Sequence, residues 1–418
     1  MSSARIIAFG NKERPAAGGL RIAIIGARGI PARWGGFETV ASELAPRLVE
    51  RGHDVTVYCR PRYSLPSRPE TYRSVKLRYL PALYTKSLET LSHESLSAAH
   101  SFLSRFDLLY VLGFRASFLY LLARLIGIPV VMNTDGFDWR RRKWGKVGRL
   151  YLRIAEAIGA RWTATHLICD SRALQPYFRR EYGRDSKFIA YGANLFESSN
   201  PAVLDRYGLV SGDYFLVVAR IEPENNIDLI VRAFSQVETD KKLAVVGAAN
   251  YRSRYLEDLK RTADPRVRFL GGVYEPGHIE EIFANSFAYL HGHEVGGTNP
   301  ALLHAMGCGC CAAALDVPFN REIVGDAGLL WRKSGRELSA LLNALLNDPA
   351  RADALRVAAR ERVRKRYSWD AIADDYDRFF REIAGRKRHR RSDRQEERNW
   401  LQTQQSEPSE TEPRRRAA

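Results

Sequence analysis

Short apolar runs alternate with amphipathic stretches along most of the chain. RIAIIG (21–26), DVTVYC (54–59), VKLRYL (75–80), DLLYVLG (107–113), PVVMNTDG (129–136), HLICDS (166–171) and FIAYGAN (188–194) are rich in Val, Ile and Leu without strict alternation. That is the pattern of parallel strands covered on both faces. Between them, FETVASELAPRLVERG (37–52) and the stretches near 88–104, 115–126 and 146–161 carry helical periodicity. Strand, helix and strand at this spacing predict right-handed βαβ crossovers. A turn-rich break at 197–213 interrupts the rhythm, which restarts with YFLVVARI (214–221), KLAVVG (242–247), VRFLGG (267–272), FAYLHG (287–292) and CCAAALD (310–316). Helical stretches near 226–237, 252–263, 277–285 and 299–307 separate these runs, and two more, 334–347 and 349–384, close the folded part. The pattern predicts an α/β chain of two Rossmann-like, doubly wound parallel-sheet domains. Their limits are 20–196 and 197–366, preceded by a flexible leader (1–19) and followed by a helix (367–384) and a disordered basic tail (385–418) of almost no apolar content.

Composition narrows the partners. The 418 residues are 45% hydrophobic, which excludes global disorder, and 65 Lys and Arg against 48 Asp and Glu leave a formal charge of +17. An anionic partner follows: nucleic acid, an acidic membrane face or a phosphorylated small molecule. No nucleic-acid reader motif accompanies the charge. Five cysteines, an odd number with three crowded at 308–311, do not make a disulfide scaffold and point to a reduced, cytoplasmic chain. The start lacks the long apolar core of a secretory signal, and FLYLLARLIGIPVVM (118–132) falls short of the ~20 residues a spanning helix needs.

Open parallel sheets bind ligands beyond the carboxyl ends of their strands, so four loops draw attention. GARGIPARWGGFET (26–39) offers Gly35 and Gly36 at a helix start, with Arg28 adding charge; an anion seat and a turn kept only for packing are the rival readings. It lacks the third glycine of a dinucleotide fingerprint, which disfavours a dehydrogenase. NTDGFDWRRRKWGK (133–146) sets Asp135, Asp138 and Trp139 among basic residues, which suits sugar recognition, contact with acidic lipid headgroups or a solvated charged face. In VARIEPENN (218–226), Arg220 can grip a diphosphate or simply pair with its neighbouring glutamates. HGHEVGGTNPALLHAMGCG (291–309) places Gly296, Gly297 and Thr298 before a helix and Glu294 beside them. His291, His293, His304 and the nearby cysteines match no zinc spacing, so no metal is expected.

Together the segments RGIPARWGGFET, TDGFDWRRRKWG, YGAN, VARIEPENN and HEVGGTNPALL resemble the family-4 retaining glycosyltransferases of GT-B fold, and within them a bacterial rhamnosyltransferase-like subgroup. The resemblance covers about residues 20–384. It implies two Rossmann-like domains facing a cleft, the first binding acceptor and the second nucleotide sugar, with the last helix returning to the first. It implies that Arg220 holds the donor diphosphate and Glu294 stands at the donor sugar. Gly296, Gly297, Thr298 and Asn299 would surround the phosphates. Asn225 stands where most of the wider family has Lys, and His304 where it has a ribose-binding Glu, at a spacing two residues longer. Arg28, Gly35, Gly36, Glu38, Asp135, Asp138 and Trp139 would line the acceptor side. The implied activity is a hexosyltransferase moving a sugar, L-rhamnose from dTDP-rhamnose, to a saccharide or lipid-linked saccharide in surface polysaccharide synthesis, without cofactor or metal. UDP- or GDP-hexose donors are the alternative, and a non-catalytic sugar-nucleotide-binding scaffold is the alternative of another class. Peripheral attachment to the inner face of an acidic membrane, through basic residues at 140–153 and 386–398, is the expected setting.

Overall fold

The computed structural model describes residues 18–385 apart from 33–34, 86–87, 135, 142–143 and 249–253. The leader, all but its last two residues, the tail beyond Gly385 and Asp135 therefore lie outside the described residues. The first lobe runs β1 (Arg21–Ile25), α1 (Gly36–Glu50), β2 (Asp54–Cys59), β3 (Thr71–Tyr72), β4 (Val75–Tyr79), α2 (Glu89–Leu103) and β5 (Leu108–Leu112). It continues through α3 (Leu121–Leu125), β6 (Val130–Asn133), α4 (Lys146–Ile158), β7 (His166–Cys169), α5 (Gln175–Tyr182) and β8 (Lys187–Phe188). The second lobe runs β9 (Tyr214–Val218), α6 (Ile227–Phe234), β10 (Lys242–Val246), α7 (Arg254–Thr262), β11 (Val267–Gly271), α8 (His278–Ala284) and β12 (Ala288–His291). It ends with α9 (Pro300–Gly307), β13 (Ala312–Leu315), α10 (Pro318–Val324), β14 (Leu329–Trp331), α11 (Gly335–Leu346) and α12 (Pro349–Arg366). A last helix, α13, spans 369–385.

The strands order as β3-β4-β2-β1-β5-β6-β7-β8 and β11-β10-β9-β12-β13-β14, parallel apart from the short β3–β4 pair. Strands such as Leu108–Leu112 and Ala312–Leu315 are buried at every position, because helices cover both faces, and their uninterrupted apolar runs follow from that. In each sheet the order reverses once: between β1 and β5, where Ile22 sits opposite Leu108, and between β9 and β12, where Leu216 sits opposite Tyr289.

Four details depart from the sequence pattern. FIAYGAN pairs with the sheet only at its start, because the chain there leaves the first lobe. The stretch 115–126 splits into a 3₁₀ turn at Ser117–Tyr120 and α3. Thr71–Tyr72 and Leu329–Trp331 are strands too short for a periodic signal. The helix expected over 349–384 breaks at Tyr367 and Ser368, where Ala193 donates its amide to the Tyr367 carbonyl (2.7 Å) and bridges Ser368. The outgoing and returning chain thus lie side by side. Beyond the break α13 packs on the first lobe: His53 Nε2 donates to Asp377 (2.5 Å), Tyr376 meets Tyr110 (2.8 Å), and Arg381 reaches the Gly18 carbonyl (2.9 Å).

Candidate active site in the cleft between the lobes

The reversal points decide what faces what. Loops leaving β9 and β12 must lie next to each other at the carboxyl edge of the second sheet, and these carry Arg220 and Glu294. The loop leaving β1 ends at Gly35, whose φ of +89° suits glycine, and Gly36 opens α1. A side chain on Gly36 would lie 3.4 Å from the Pro300 ring, the first residue of α9. Two helix N-termini, one from each lobe, therefore converge, and their free amides and dipoles bring positive potential to one place.

On the second lobe's wall, the Asn225 amide donates to the Arg220 carbonyl (2.7 Å), fixing the turn beneath that guanidinium. Arg220 is half-exposed and 3.8 Å from Glu222. Asn226, at φ +52°, donates to the Gly292 carbonyl (2.8 Å) and to Glu294 (3.2 Å), stitching the two loops together. Glu294 donates its backbone amide to the Glu224 carbonyl (3.1 Å), and its carboxylate pairs with Lys333, from the turn after β14. Burial, then repulsion from Glu222, pushes the Glu224 carboxyl up. His291 and His293 stack at 4.3 Å; burial pushes His291 down to about 3, and burial, His291, Arg220 and Arg141 hold His293 well below the usual histidine range. Both rings are neutral at pH 7, so positive charge beside them belongs to arginine and lysine.

The first lobe's wall is aromatic and basic. Trp139, Arg140 and Arg149 line a cavity of about 450 Å³ with Glu294 and Val295. Arg140 and Arg153 lie over the Trp139 ring at 5.1 and 5.3 Å. Gly136, at φ +58°, touches the opposite loop so closely that a Cβ there would sit 2.5 Å from the Gly296 backbone. A side chain on Gly297 would overlap the Asp170 carboxylate, and Ser171 and the Arg172 amide both donate to Glu322 of α10 (2.6 and 2.9 Å). The lobes are in contact along this line.

The structure therefore gathers Arg220, Asn225, Glu294, Gly296, Gly297, Gly35, Gly36 and Trp139 around one crevice. Other expected site residues are already engaged. Glu38 is buried and turns back to accept the Arg28 amide (2.9 Å), holding its own loop; burial raises its carboxyl pKa. The Arg28 guanidinium lies 5.1 Å from the centre of the Tyr63 ring. Asp138 accepts from Arg115 (2.8 Å) and pairs with Arg141 (3.0 Å), so it anchors the loop that carries Trp139. The Thr298 hydroxyl donates to the Asp170 carbonyl across the lobes, and the Asn299 side chain caps α9 by accepting the Ala301 amide (2.9 Å). The Thr298 hydroxyl proton and the Asn299 side-chain oxygen are thereby engaged within the protein. His304 pairs with Glu280 of α8 (3.3 Å); against the upward push of burial, this bond holds the Glu280 carboxyl below its ordinary range. Lys333, Asn226, Arg141 and Glu280 were not singled out in the sequence. Only Asn226 carried a signal, since Asn in a turn before a helix tolerates positive φ.

Two facing α/β lobes with a crevice between their reversal points define an architecture, and comparison with known proteins gives it a class. Residues 35–192 match the glycosyl transferase 4-like domain, and residues 209–366 match the glycosyl transferases group 1 domain. The chain belongs to this glycosyltransferase family. It is 29% identical over 167 residues to a GDP-mannose-dependent monoacylated alpha-(1-6)-phosphatidylinositol monomannoside mannosyltransferase of Corynebacterium glutamicum, covering 37% of this chain and 44% of that protein. An alpha-maltose-1-phosphate synthase of Mycolicibacterium smegmatis is 25% identical over 182 residues, covering 40% of this chain and 47% of that protein. The chain thus spans less than half the length of these curated relatives. Its fold is that of sucrose-phosphate synthase from Thermosynechococcus elongatus (TM-score 0.73, 19% identity, 87% of this chain and 99% of that one). It is also that of Anabaena HepE in complex with UDP-glucose (TM-score 0.70, 19% identity, 85% and 98%).

Proposed function

We propose that the protein is a retaining hexosyltransferase that moves L-rhamnose from dTDP-rhamnose onto a lipid-linked saccharide during synthesis of a bacterial surface polysaccharide. The observation that carries this reading is the meeting of two helix N-termini, Gly36 against Pro300, at the end of a loop that Asn226 ties to the loop of Arg220, a seat for a diphosphate. In the proposed step the bond from the sugar's C1 to the phosphate oxygen breaks and the acceptor hydroxyl oxygen bonds to C1 on the same face. The acceptor's proton passes to the departing phosphate oxygen, so the nucleoside diphosphate leaves with the bond's electron pair. Charge grows on that diphosphate, and Arg220 with the amides of Gly297, Thr298 and Asn299 offsets it without a metal ion. Glu294 faces the donor sugar, oriented by Lys333 and Asn226. The His304–Glu280 pair is the proposed ribose contact, returning a carboxylate to a position where the sequence has histidine. The Trp139 ring and the Gly35–Gly36 turn take the acceptor. The lobe-to-lobe contact keeps water from the donor.

The rhamnose assignment is supported by the five motifs. A second reading, a GDP- or UDP-hexose donor, is favoured by the mannosyltransferase relative, whose donor is GDP-mannose. A donor panel with a lipid-linked acceptor, the product anomer read by NMR, separates them: transfer from GDP-mannose alone removes rhamnose and keeps the class. No transfer from any donor, with glycan synthesis in cells unaffected by Arg220→Ala, would leave a sugar-nucleotide-binding scaffold. The cytoplasmic face of an acidic membrane is the proposed place of work, reached through the basic residues of 140–153 and 386–398; the latter lie outside the described residues.

A further inference from the structure

Helix α4 has three faces where an ordinary surface helix has two. Residues advance by about 100° each, so Leu152, Ala155 and Glu156 fall on one side, and all three are buried against the first lobe. Lys146, Arg149 and Arg153 fall on a second side and are exposed. The third side carries Val147, Leu150, Tyr151 and Ile154, at the i, i+3, i+4, i+7 spacing of an apolar stripe, and it faces outward: 84%, 61%, 42% and 50% exposed. Past the helix end Trp162 is 56% exposed, and Arg124 of α3 donates to its carbonyl (2.7 Å), which brings the 75%-exposed Leu125 into the same neighbourhood.

An isolated exposed leucine means nothing, but an ordered stripe of them with an aromatic at its end does. Charge selects the occupant. Residues 139–162 hold eight Lys and Arg against one acid, Glu156, and that acid is buried and accepts from Tyr177 and Tyr182 (2.6 and 2.7 Å). The outward surface of the helix is therefore apolar and cationic with no exposed carboxylate, as suits the boundary between acyl chains and anionic headgroups. The basic side also adjoins the crevice: Arg149 lines the cavity with Glu294, and Arg153 lies over Trp139.

We propose that the outer side of α4, with Trp162 and Leu125, enters an anionic bilayer and sets the mouth of the cleft at headgroup height, where a lipid-linked acceptor presents its sugar. The proposal rests on the peripheral-attachment reading above and names the surface that performs it: apolar side chains on the first lobe rather than the basic tail. The test uses the full chain, vesicles with and without phosphatidylglycerol, a Val147→Ser/Leu150→Ser/Ile154→Ser variant, and a chain ending at Gly385. Transfer to a water-soluble acceptor is measured in parallel. The triple variant is expected to lose at least about tenfold in binding to anionic vesicles while keeping transfer to the soluble acceptor. The shortened chain keeps most of its binding, and raised salt weakens the parent's binding without abolishing it. Val147→Asp alone serves should the triple variant unfold. Parental binding by the variant overturns the proposal, and loss on shortening would then assign attachment to the tail and keep the attachment reading. A parent that ignores both vesicles sinks proposal and attachment together, while soluble transfer still judges the enzyme. A dimer broken by the triple variant, without vesicle binding, makes the stripe a self-association face and also overturns it.

Discussion

The two walls of the crevice are built by opposite means. The second lobe offers turns: Arg220 and Glu294 stand on adjacent loops laced by Asn225 and Asn226, next to the start of α9 at Asn299 and Pro300. The first lobe offers bulk, with Trp139 under two arginines on a loop anchored by the Asp138 ion pairs. Fixed amides and one well-placed guanidinium suit a ligand group of constant shape and charge, such as a diphosphate. A ring with movable cations over it suits a partner with a flat apolar face and variable hydroxyls. On the reading proposed above, the second lobe's wall takes the donor and the first lobe's wall takes the acceptor.

The largest effect that would break this division is expected from Arg220→Ala. It should lower kcat by about 10²- to 10³-fold with an unchanged thermal midpoint, since a half-exposed side chain contributes little to folding. Normal turnover would remove the second wall from the chemistry. Next comes Gly136→Ala. Both Gly136 and Gly183 hold positive φ, so alanine costs each about 1–2 kcal/mol, yet only Gly136 meets the other lobe while Gly183 has nothing within 4 Å. Gly136→Ala should cut turnover by about 10- to 100-fold and Gly183→Ala should leave it intact; equal losses would show that strain, not lobe contact, is responsible. Trp139→Ala sharpens the comparison further: the acceptor KM should rise about tenfold, near 1.4 kcal/mol, and the donor KM should stay put. The smallest effect lies away from both walls. Burial holds His53 below its ordinary pKa despite Asp377, and its Nδ1 accepts the Leu20 amide (3.1 Å), so the folded ring is neutral. The unfolded chain takes up that proton more readily, so stability should fall as pH drops through about 6.5. Thermal midpoints of His53→Gln should lose that slope.

The sheets were legible because strands covered on both faces must be continuously apolar, and the four loops stood out because glycine and charge cluster where those strands stop. Pairings that depend on distant segments were not. Nothing local announces that Lys333 will reach Glu294, or that Glu280 will meet His304. Nor does the motif announce that the Thr298 hydroxyl reaches the Asp170 carbonyl of the opposite lobe while the Asn299 side-chain oxygen caps α9. The cap could have been read, since Asn before a helix-opening Pro is a preferred start.

The chain passes between the lobes side by side at Ala193 and Ser368, so once the contacts at Gly296, Thr298 and Glu322 part, the second lobe keeps two adjacent pins and one easy axis of rotation. Because α13 fastens Gly18 to Arg381, both ends of the described chain ride on the first lobe. If that lobe is moored, the other can still nod over the gap like a jaw, loading and releasing the small partner while the large one stays docked.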